Sequence, residues 1–405
     1  MLLTKREPDE PIITDMADLD WYANTMKYAF MTQEPELKGT LVLIDRDNRI
    51  FPKGFNERFR QQLKLLAEAT LSPEAEAHMR ATADYMPEWF YDYLRHFRIN
   101  PDMIYSHQDG DGYMHVQVHG YLYDIVSYET PIMAIMSELV NDIEGTTVDP
   151  DFEENVYQKA RRLADLGAKF AEMDTRRRPN KQVQRLSLHA IKNGSGGYLK
   201  GTSNAALAAE LGIALIGTMG HIFPQAHMVY GIRSANRMAM INWDNAFQGI
   251  LGTMIVDTFT TPKFLEDFTP HFANLFRGTR EDSGSSLQHI DWMVNHYRSM
   301  NIDPLTKEVT FTNSLNDVKV ASIKAYDVES KLRDYYGIGG WFSAGLGLIK
   351  LNIVMKLWDV TRPQEPNRKI YVVKIPNEIG KQSGDPRAIE AGLYELGIER
   401  DSLSI

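Results

Sequence analysis

Residues 201–221 read GTSNAALAAELGIALIGTMGH, and this stretch carries the clearest pattern for the fold. A serine or asparagine before the alanine-rich segment can cap a helix, and Gly212 can end that helix. The apolar run at 213–216 is typical of a short buried strand, and the glycines after it free the backbone. His221 is therefore expected at a pocket rim, where an imidazole handles protons or phosphoryl groups; a hydrogen-bonded structural histidine is the alternative.

Size and composition limit the class of protein. The chain has 405 residues, enough for two domains or for one large barrel with additions. Its 54 acidic and 44 basic residues give a net charge of −10, which argues against general nucleic-acid binding. There is no cysteine, so disulfides, thiolate metal sites and cysteine nucleophiles are excluded.

The sequence predicts no membrane association. The N-terminal letters MLLTKREPDEPIITD lack the apolar core of a signal peptide. The longest weakly polar stretch, residues 205–220, contains Glu210 and two glycines, so it is not expected to span a bilayer. A cytoplasmic location is the resulting prediction.

From about residue 130 the chain alternates helical stretches with short apolar runs that end in small or polar residues. Examples of these runs are GTMIVDTFTT, KEVTFTNSLN and DYYGIGG. This pattern indicates βα units around a parallel sheet or barrel, in which the residues just after each strand build the site. Those residues are Thr202, Ser203, His221, Asp257, Thr258, Arg280, Asp282, Ser283, Gly284, Asn313, Gly339 and Gly340. The set is polar and contains cations, a histidine and glycine loops, which suits a phosphorylated substrate.

Three local motifs can bind anions, and each has a plainer alternative. The run TRRR at 175–178 can be a solvated surface segment, or one of its arginines can grip a carboxylate or phosphate. In the segment REDSG at 280–284, Arg280 can contact phosphate oxygens while Asp282 binds ribose hydroxyls or a metal-bridged diphosphate. The alternative for this segment is a simple turn. Gly337, Gly339 and Gly340 resemble a loop that cradles phosphate, and a glycine loop without such a role is the alternative.

The combined motifs resemble those of the nicotinate phosphoribosyltransferase family. The matching blocks, in the family's order, are Asp20-Trp21-Tyr22, TRRR at 175–178, GTSN at 201–204, GTMGH at 217–221, DTF at 257–259, R-x-DSG at 280–284, GIG at 337–339 and LNIVMK at 351–356. The similarity runs from about residue 12 to residue 386.

The resemblance implies an α/β fold: an irregular α/β barrel with a second α/β domain built from the N-terminal third and the C-terminal tail. Residues 1–130, completed by about 356–405, would form the second domain, and residues 131–355 the barrel. The implied reaction joins nicotinate and phosphoribosyl pyrophosphate into nicotinate mononucleotide and diphosphate. The family couples this reaction to ATP hydrolysis through a phosphohistidine, here His221. Mg²⁺, held through the diphosphate with no direct protein ligand, and a homodimer are also implied.

The resemblance also assigns roles to residues of this chain. His221, Asp282 and Arg280 would be catalytic, because diphosphate departure needs cations at the leaving group and a carboxylate at the ribose. The expected substrate-binding residues are Tyr22, Arg176, Thr202, Ser203, Asp257, Ser283, Gly284, Gly339 and Gly340. Tyr22 offers a ring face to the pyridine, and Arg176 can face its carboxylate. Nicotinamide-using relatives carry Asp at the position of Ser203, so this serine favours nicotinate.

The chain departs from the family pattern at several positions. Ser285 replaces an acid of DSGDP, Ile222 replaces the acid next to the histidine, and Met173-Asp174 replaces Phe-Gly. A non-catalytic or nicotinamide-using relative that binds phosphorylated ligands is therefore the alternative to an active nicotinate enzyme.

Overall fold

The computed structural model describes residues 7, 9–400 and 403, so seven positions of the N-terminal stretch assessed for a signal peptide lie outside the described part. The strands are β1 (Lys38–Asp45), β2 (Ile104–Gln108), β3 (Met114–Tyr121), β4 (Phe170–Glu172), β5 (Leu199–Thr202), β6 (Thr253–Ile255), β7 (Gly278–Glu281), β8 (Glu308–Phe311), β9 (Arg333–Ile338), β10 (Ile353–Thr361) and β11 (Lys369–Tyr371). They form two separate sheets.

The helices surround and connect these sheets. They are α1 (Trp21–Gln33), α2 (Phe55–Leu66), α3 (Pro73–Thr82), α4 (Glu88–His96), α5 (Leu122–Ile125), α6 (Glu129–Glu144), α7 (Phe152–Asp165), α8 (Lys181–Gly194), α9 (Ala205–Leu211), α10 (Ile222–Ala226), α11 (Ile232–Phe247), α12 (Thr261–Asp267), α13 (Pro270–Leu275), α14 (Ser286–Ser299), α15 (Asp317–Ala325) and α16 (Pro386–Leu396). Asn204 caps α9 through its side chain and Gly212 ends that helix with positive φ, as the sequence indicates. None of the described helices has the length and apolarity needed to cross a bilayer.

The first sheet is antiparallel and joins the two ends of the chain. Its strand order is β11-β10-β1-β3-β2, so the C-terminal strands pair with strands of the N-terminal third. In β3, buried and exposed residues alternate at Met114–His119, which is the pattern of a sheet with one face on the core. This pairing of N-terminal and C-terminal strands is the arrangement expected of a domain made from both ends of the chain, as the resemblance implies.

The second sheet is parallel, with the order β5-β4-β9-β8-β7-β6. A cavity of about 340 Å³ is lined by residues on or next to all six strands. Because one central cavity touches every strand, the sheet curves around it instead of lying flat, which is the geometry of a barrel. The α/β fold class with a parallel barrel domain and a second sheet is confirmed.

The prediction of a strand at residues 213–216 is wrong, because this segment does not form a regular strand. Only Leu215 forms an isolated parallel bridge, with Thr202 at the end of β5. The amide of Thr202 donates to the carbonyl of Ala214 (3.1 Å), and the amide of Ile216 donates to the carbonyl of Thr202 (2.9 Å). The segment borders the cavity. Leu215 and Ile216 are therefore half-buried and line the cavity instead of packing into the hydrophobic core.

The expected domain limits near residues 130 and 356 fall inside elements of the structure. Helix α6 begins at Glu129, and β10 begins at Ile353 and continues past residue 356. The start of α1 also joins the two parts: the amide of Trp21 donates to the carbonyl of Ser203 at 2.7 Å. This contact holds Tyr22 at the barrel mouth, so the site is built from both parts of the chain.

Candidate active site

His221 lies at the start of the short helix α10 and belongs to a buried polar cluster. Its Nε2 is 3.0 Å from Oδ1 of Asp257, which follows β6. The hydroxyl of Ser283 donates to Oδ2 of Asp257 at 2.6 Å, and Nζ of Lys374 lies 3.2 Å from the same oxygen. Asp257 therefore has partners at both oxygens, and one of them is the imidazole.

The charges of this cluster fix the position of the histidine proton. Burial would raise the pKa of Asp257, but Lys374 and His221 outweigh it and hold that pKa well below its ordinary value. Burial, with Lys374 nearby, lowers the pKa of His221 to about 4. The imidazole is thus neutral at pH 7, and an ionised Asp257 can only accept, so Nε2 carries the proton. The lone pair is left on Nδ1.

Asp282 faces the other ring nitrogen. Its Oδ2 lies 3.9 Å from Nδ1 of His221, and its Oδ1 lies 3.7 Å from Nη2 of Arg280 and accepts from Thr312 at 2.7 Å. Burial would raise the pKa of Asp282, but Arg280, Lys374 and His221 lower it overall. An ionised carboxylate, a cation and an imidazole lone pair therefore converge at this mouth, as the positions after β6 and β7 predict.

The cavity continues from this cluster into the barrel, and four of the predicted site residues line it: Tyr22, Arg176, Ser203 and Arg280. Met173 also lines the cavity, at the position where the resemblance expects an aromatic ring. The guanidinium of Arg176 lies 5.2 Å from the centre of the Tyr22 ring. The cavity thus offers one aromatic wall, one thioether wall and two guanidinium groups to a flat anionic ligand.

Acids compensate part of this positive charge. Arg176 pairs with Oδ2 of Asp20 and with Oε1 of Glu129, both at 3.2 Å. The hydroxyl of Ser203 donates to Asp20 at 2.5 Å, and the hydroxyl of Tyr22 donates to Glu129 at 2.5 Å. Burial raises the pKa of Asp20, although Arg176 opposes this. The hydroxyl of Ser203 thus holds the buried carboxylate of Asp20 in place, and a serine at this position adds no second carboxylate to the pocket.

The glycine loop after β9 lies against Lys350. A Cβ built on Gly340 would be 1.2 Å from Nζ of Lys350, so any larger residue there would displace this flexible side chain from the loop. Lys350 pairs with Oδ1 of Asp174 at 2.7 Å, and the hydroxyl of Ser343 donates to Oδ2 of the same residue at 2.7 Å. Phosphate binding by Gly339 and Gly340 stays a prediction, and Lys350 is a cation beside this loop that the sequence motif does not reveal.

Three other predicted substrate-binding residues have partners within the protein. The hydroxyl of buried Thr202 donates to Glu172 at 2.5 Å, and the hydroxyl of Ser283 donates to Asp257. The amide of Gly284 donates to Glu378 at 3.3 Å. They lie next to the site but do not line the cavity, so their contact with substrate stays a prediction.

His221, Asp257 and Asp282 form a group whose ligand atoms lie within 4.8 Å of one another. Carboxylate oxygens suit Mg²⁺. Asp257 is fully buried and already has Lys374, Ser283 and His221 as partners, whereas the side chain of Asp282 is 27% exposed. The residues present therefore fit a magnesium ion that is held mainly by a phosphorylated substrate, with Asp282 as the nearest protein carboxylate.

Lys374 is a residue of the site that sequence reasoning missed. It is 4% exposed and lies among buried Val372, Val373 and Ile375, after β11. A single lysine within an apolar run of the tail is the signal that could have identified it, since a buried cation needs a partner. Lys356 in β10 is a second case: burial lowers its pKa to about 7, with Lys374 nearby.

Comparison with known proteins agrees with this geometry. Residues 168–388 match the model of the nicotinate phosphoribosyltransferase (NAPRTase) family, and residues 17–137 match the model of its N-terminal domain. The nicotinate phosphoribosyltransferase of Chromohalobacter salexigens is 30% identical over 392 residues, which cover 96% of this chain and all of the relative. That of Desulforapulum autotrophicum is 33% identical over 378 residues, 92% of this chain and 96% of the relative.

Solved structures give the same result. The crystal structure of nicotinate phosphoribosyltransferase from Porphyromonas gingivalis has a TM-score of 0.92 and 31% identity, and the match covers 96% of this chain and all of that one. The structure from Vibrio cholerae has a TM-score of 0.87 and 27% identity, with 97% and 96% covered. Because its sequence matches the family over nearly the whole length and its fold matches a solved structure of the family, this chain belongs to the nicotinate phosphoribosyltransferase family.

Proposed function

We propose that the protein transfers the phosphoribosyl group of phosphoribosyl pyrophosphate to nicotinate, forming nicotinate mononucleotide and diphosphate. The observation that carries this proposal is the continuity of two sites. The cavity with Tyr22, Arg176 and Ser203 suits an aromatic anion, and it meets the cluster of Arg280, Asp282 and His221 at the barrel mouth. Membership of the family supports the same reaction.

The residues at the mouth can act on the sugar. As diphosphate leaves, positive charge develops at the anomeric carbon and negative charge on the leaving group. Asp282 holds the ribose, Arg280 contacts the departing diphosphate, and Tyr22 keeps the pyridine ring in line with the reacting carbon. Mg²⁺ on the diphosphate would neutralise part of its charge, with Asp282 as the nearest carboxylate.

We further propose that His221 couples the reaction to ATP hydrolysis. Its neutral Nδ1 attacks the γ-phosphorus of ATP, an N–P bond forms, and ADP leaves with the electrons of the broken O–P bond; water later hydrolyses the phosphohistidine to phosphate. Asp257 orients the ring and stabilises the charge that develops on it. It thereby takes the role of the acid that is absent at position 222, where this chain has isoleucine. A homodimer with the active site near its interface is part of this proposal.

The coupling is tested with γ-labelled ATP. We expect an acid-labile label on the native protein and none on His221→Ala, which should still form nicotinate mononucleotide slowly without ATP stimulation. Asp257→Asn, which keeps the shape but loses the charged acceptor, should label at least 100-fold more slowly. An unlabelled native protein that forms the mononucleotide would refute the coupling and leave the transfer reaction intact.

A further inference from the structure

The cavity extends through the barrel from one end to the other. It is lined by Tyr22, Ser203 and Arg280 at the mouth that holds the chemistry, and by Lys169 and Lys200 at the beginning of β4 and β5. The beginnings and ends of parallel strands lie at opposite faces of a barrel. One continuous space therefore connects the base pocket with the opposite face.

Small side chains keep the passage open. In many barrels, layers of Val, Ile and Leu fill the interior. Here Ala171 on β4, Thr253 on β6 and Thr310 on β8 line the cavity at inner positions. Thr310 pairs with Arg280 on one side and with Tyr335 on the other, so it lies in the middle of the sheet wall.

The opening at the far face is basic in a protein of net charge −10. Lys169, Lys200 and Arg277 line it and are exposed, while Tyr335 contributes a half-buried ring. Among the described residues, Glu308 is the one acid that lines this end; it is buried and already accepts from Nε of Arg277 (2.9 Å) and from Thr253 (3.0 Å). Two lysines therefore remain as a local positive field, and such a field attracts small anions.

Once phosphoribosyl pyrophosphate is bound, the opposite mouth becomes unfavourable for an incoming anionic base. At that end Asp20 and Glu129 already pair with Arg176, and Asp282 lies beside Arg280, so a bound phosphoribosyl pyrophosphate would add negative charge and occupy the space above Tyr22. A base that binds second would have to pass this bound anion, whereas the far opening leads to the same pocket past Lys169 and Lys200, with Glu308 already paired with Arg277.

We propose that nicotinate reaches its pocket through the barrel from the far face, steered by Lys169 and Lys200, while phosphoribosyl pyrophosphate binds at the mouth with His221. This inference rests on the proposed transfer to nicotinate but not on ATP coupling. The two lysines select for an anionic base before it contacts the pocket, because a neutral amide gains little from the field.

The route is tested by the rate at which nicotinate associates with the phosphoribosyl pyrophosphate-loaded protein, measured by stopped-flow fluorescence, together with steady-state kinetics. For Lys169→Gln/Lys200→Gln we expect an association rate and a kcat/KM for nicotinate about five-fold lower at low ionic strength, merging with the native values at high salt. The kcat at saturating nicotinate and the KM for phosphoribosyl pyrophosphate should keep their native values. Lys53→Gln/Lys64→Gln, which makes the same charge change on exposed residues outside the cavity lining, is the matched control.

A second variant obstructs the passage sterically. Thr310→Phe should slow nicotinate association at least ten-fold with phosphoribosyl pyrophosphate bound, whereas the isosteric Thr310→Val should behave as native; thermal unfolding verifies that both fold. A native rate and salt dependence in the double lysine variant, or a native rate in folded Thr310→Phe, would overturn the route. A native protein that neither binds nicotinate nor forms its mononucleotide would instead refute the proposed function itself.

Discussion

At the scale of single residues, the environment of His221 decides its chemistry. Asp257 accepts from Nε2, and burial holds the pKa of the imidazole near 4, so a neutral ring with a free Nδ1 is present throughout the physiological range. The acid that the family places directly after the histidine is Ile222 here. Asp257, which lies 36 positions later in the chain, contacts the ring instead, so the loss at 222 does not leave the imidazole without an orienting acid.

Ser203 gives a prediction about the choice of base. Its hydroxyl already donates to Asp20, so Ser203→Asp would place a second carboxylate beside the first in the base pocket. We expect the KM for nicotinate to rise by roughly 30- to 100-fold, equivalent to about 2–3 kcal/mol of lost affinity, with a smaller effect on nicotinamide. Ser203→Asn, which is isosteric with the Asp variant but uncharged, separates charge from shape and should change the ratio of the two bases much less. Steady-state kinetics with both bases measures this, and an unchanged ratio in Ser203→Asp would contradict it.

At the scale of elements, close contact between strands positions the site. Thr279 and Glu281 of β7 are buried, while Arg280 between them lines the cavity, so the alternation of the strand aims Arg280 at the site. The register that pairs Arg280 with Thr310 depends on Gly278 at the start of β7. A Cβ built on this glycine would be 2.0 Å from the carbonyl oxygen of Glu308.

Gly278→Ala should therefore separate β7 from β8, because the clash is with backbone atoms that cannot rotate away. We expect the free energy of unfolding to fall by about 1–3 kcal/mol, with a loss of activity as Arg280 and Asp282 shift. Gly110→Ala is the control, since nothing lies within 4 Å of the Cβ that it would add. Urea denaturation of both variants measures the difference, and equal midpoints would argue against this packing.

At the scale of the whole molecule, buried ionisable groups give stability a dependence on pH. Burial lowers the pKa of His289 on α14 to about 4, and burial, with Asp282 nearby, raises the pKa of Glu281 on β7 to about 8. Between pH 6.5 and 4 the unfolded chain takes up the histidine proton first, so His289 makes the fold less stable as the pH falls. Between pH 4.5 and 8 the folded chain keeps the glutamic acid proton, so Glu281 makes the fold less stable as the pH rises.

These opposite signs lead to a paired prediction. His289→Gln should reduce the loss of unfolding free energy between pH 6.5 and 4 by up to about 1.4 kcal/mol per pH unit. Glu281→Gln should instead reduce the loss between pH 4.5 and 8, by a similar slope. Chemical denaturation across this range measures both slopes. If the two substitutions altered stability by a constant amount at every pH, the assigned protonation states would be wrong.

The sequence by itself determined what depends on neighbours along the chain. The cap and end of α9, the βα alternation after residue 130 and the ordered family motifs follow from local patterns, and they were enough to predict an α/β barrel and the convergence of His221, Asp257 and Asp282. The same local reading failed at 213–216, where the apolar run lines the cavity and forms a single parallel bridge with Thr202 instead of a regular strand.

Only the tertiary structure decided which charges meet. Lys374 reaches Asp257 from the C-terminal tail, and Asp20 reaches Arg176 from the N-terminal segment. These partners are separated by as much as 156 residues along the chain, so no spacing pattern encodes them. Burial then sets their strength, since the same charges would interact weakly in water. Local sequence patterns together with the family motifs therefore predict the barrel, whereas the electrostatics of its site arise from long-range contacts in an interior that excludes water.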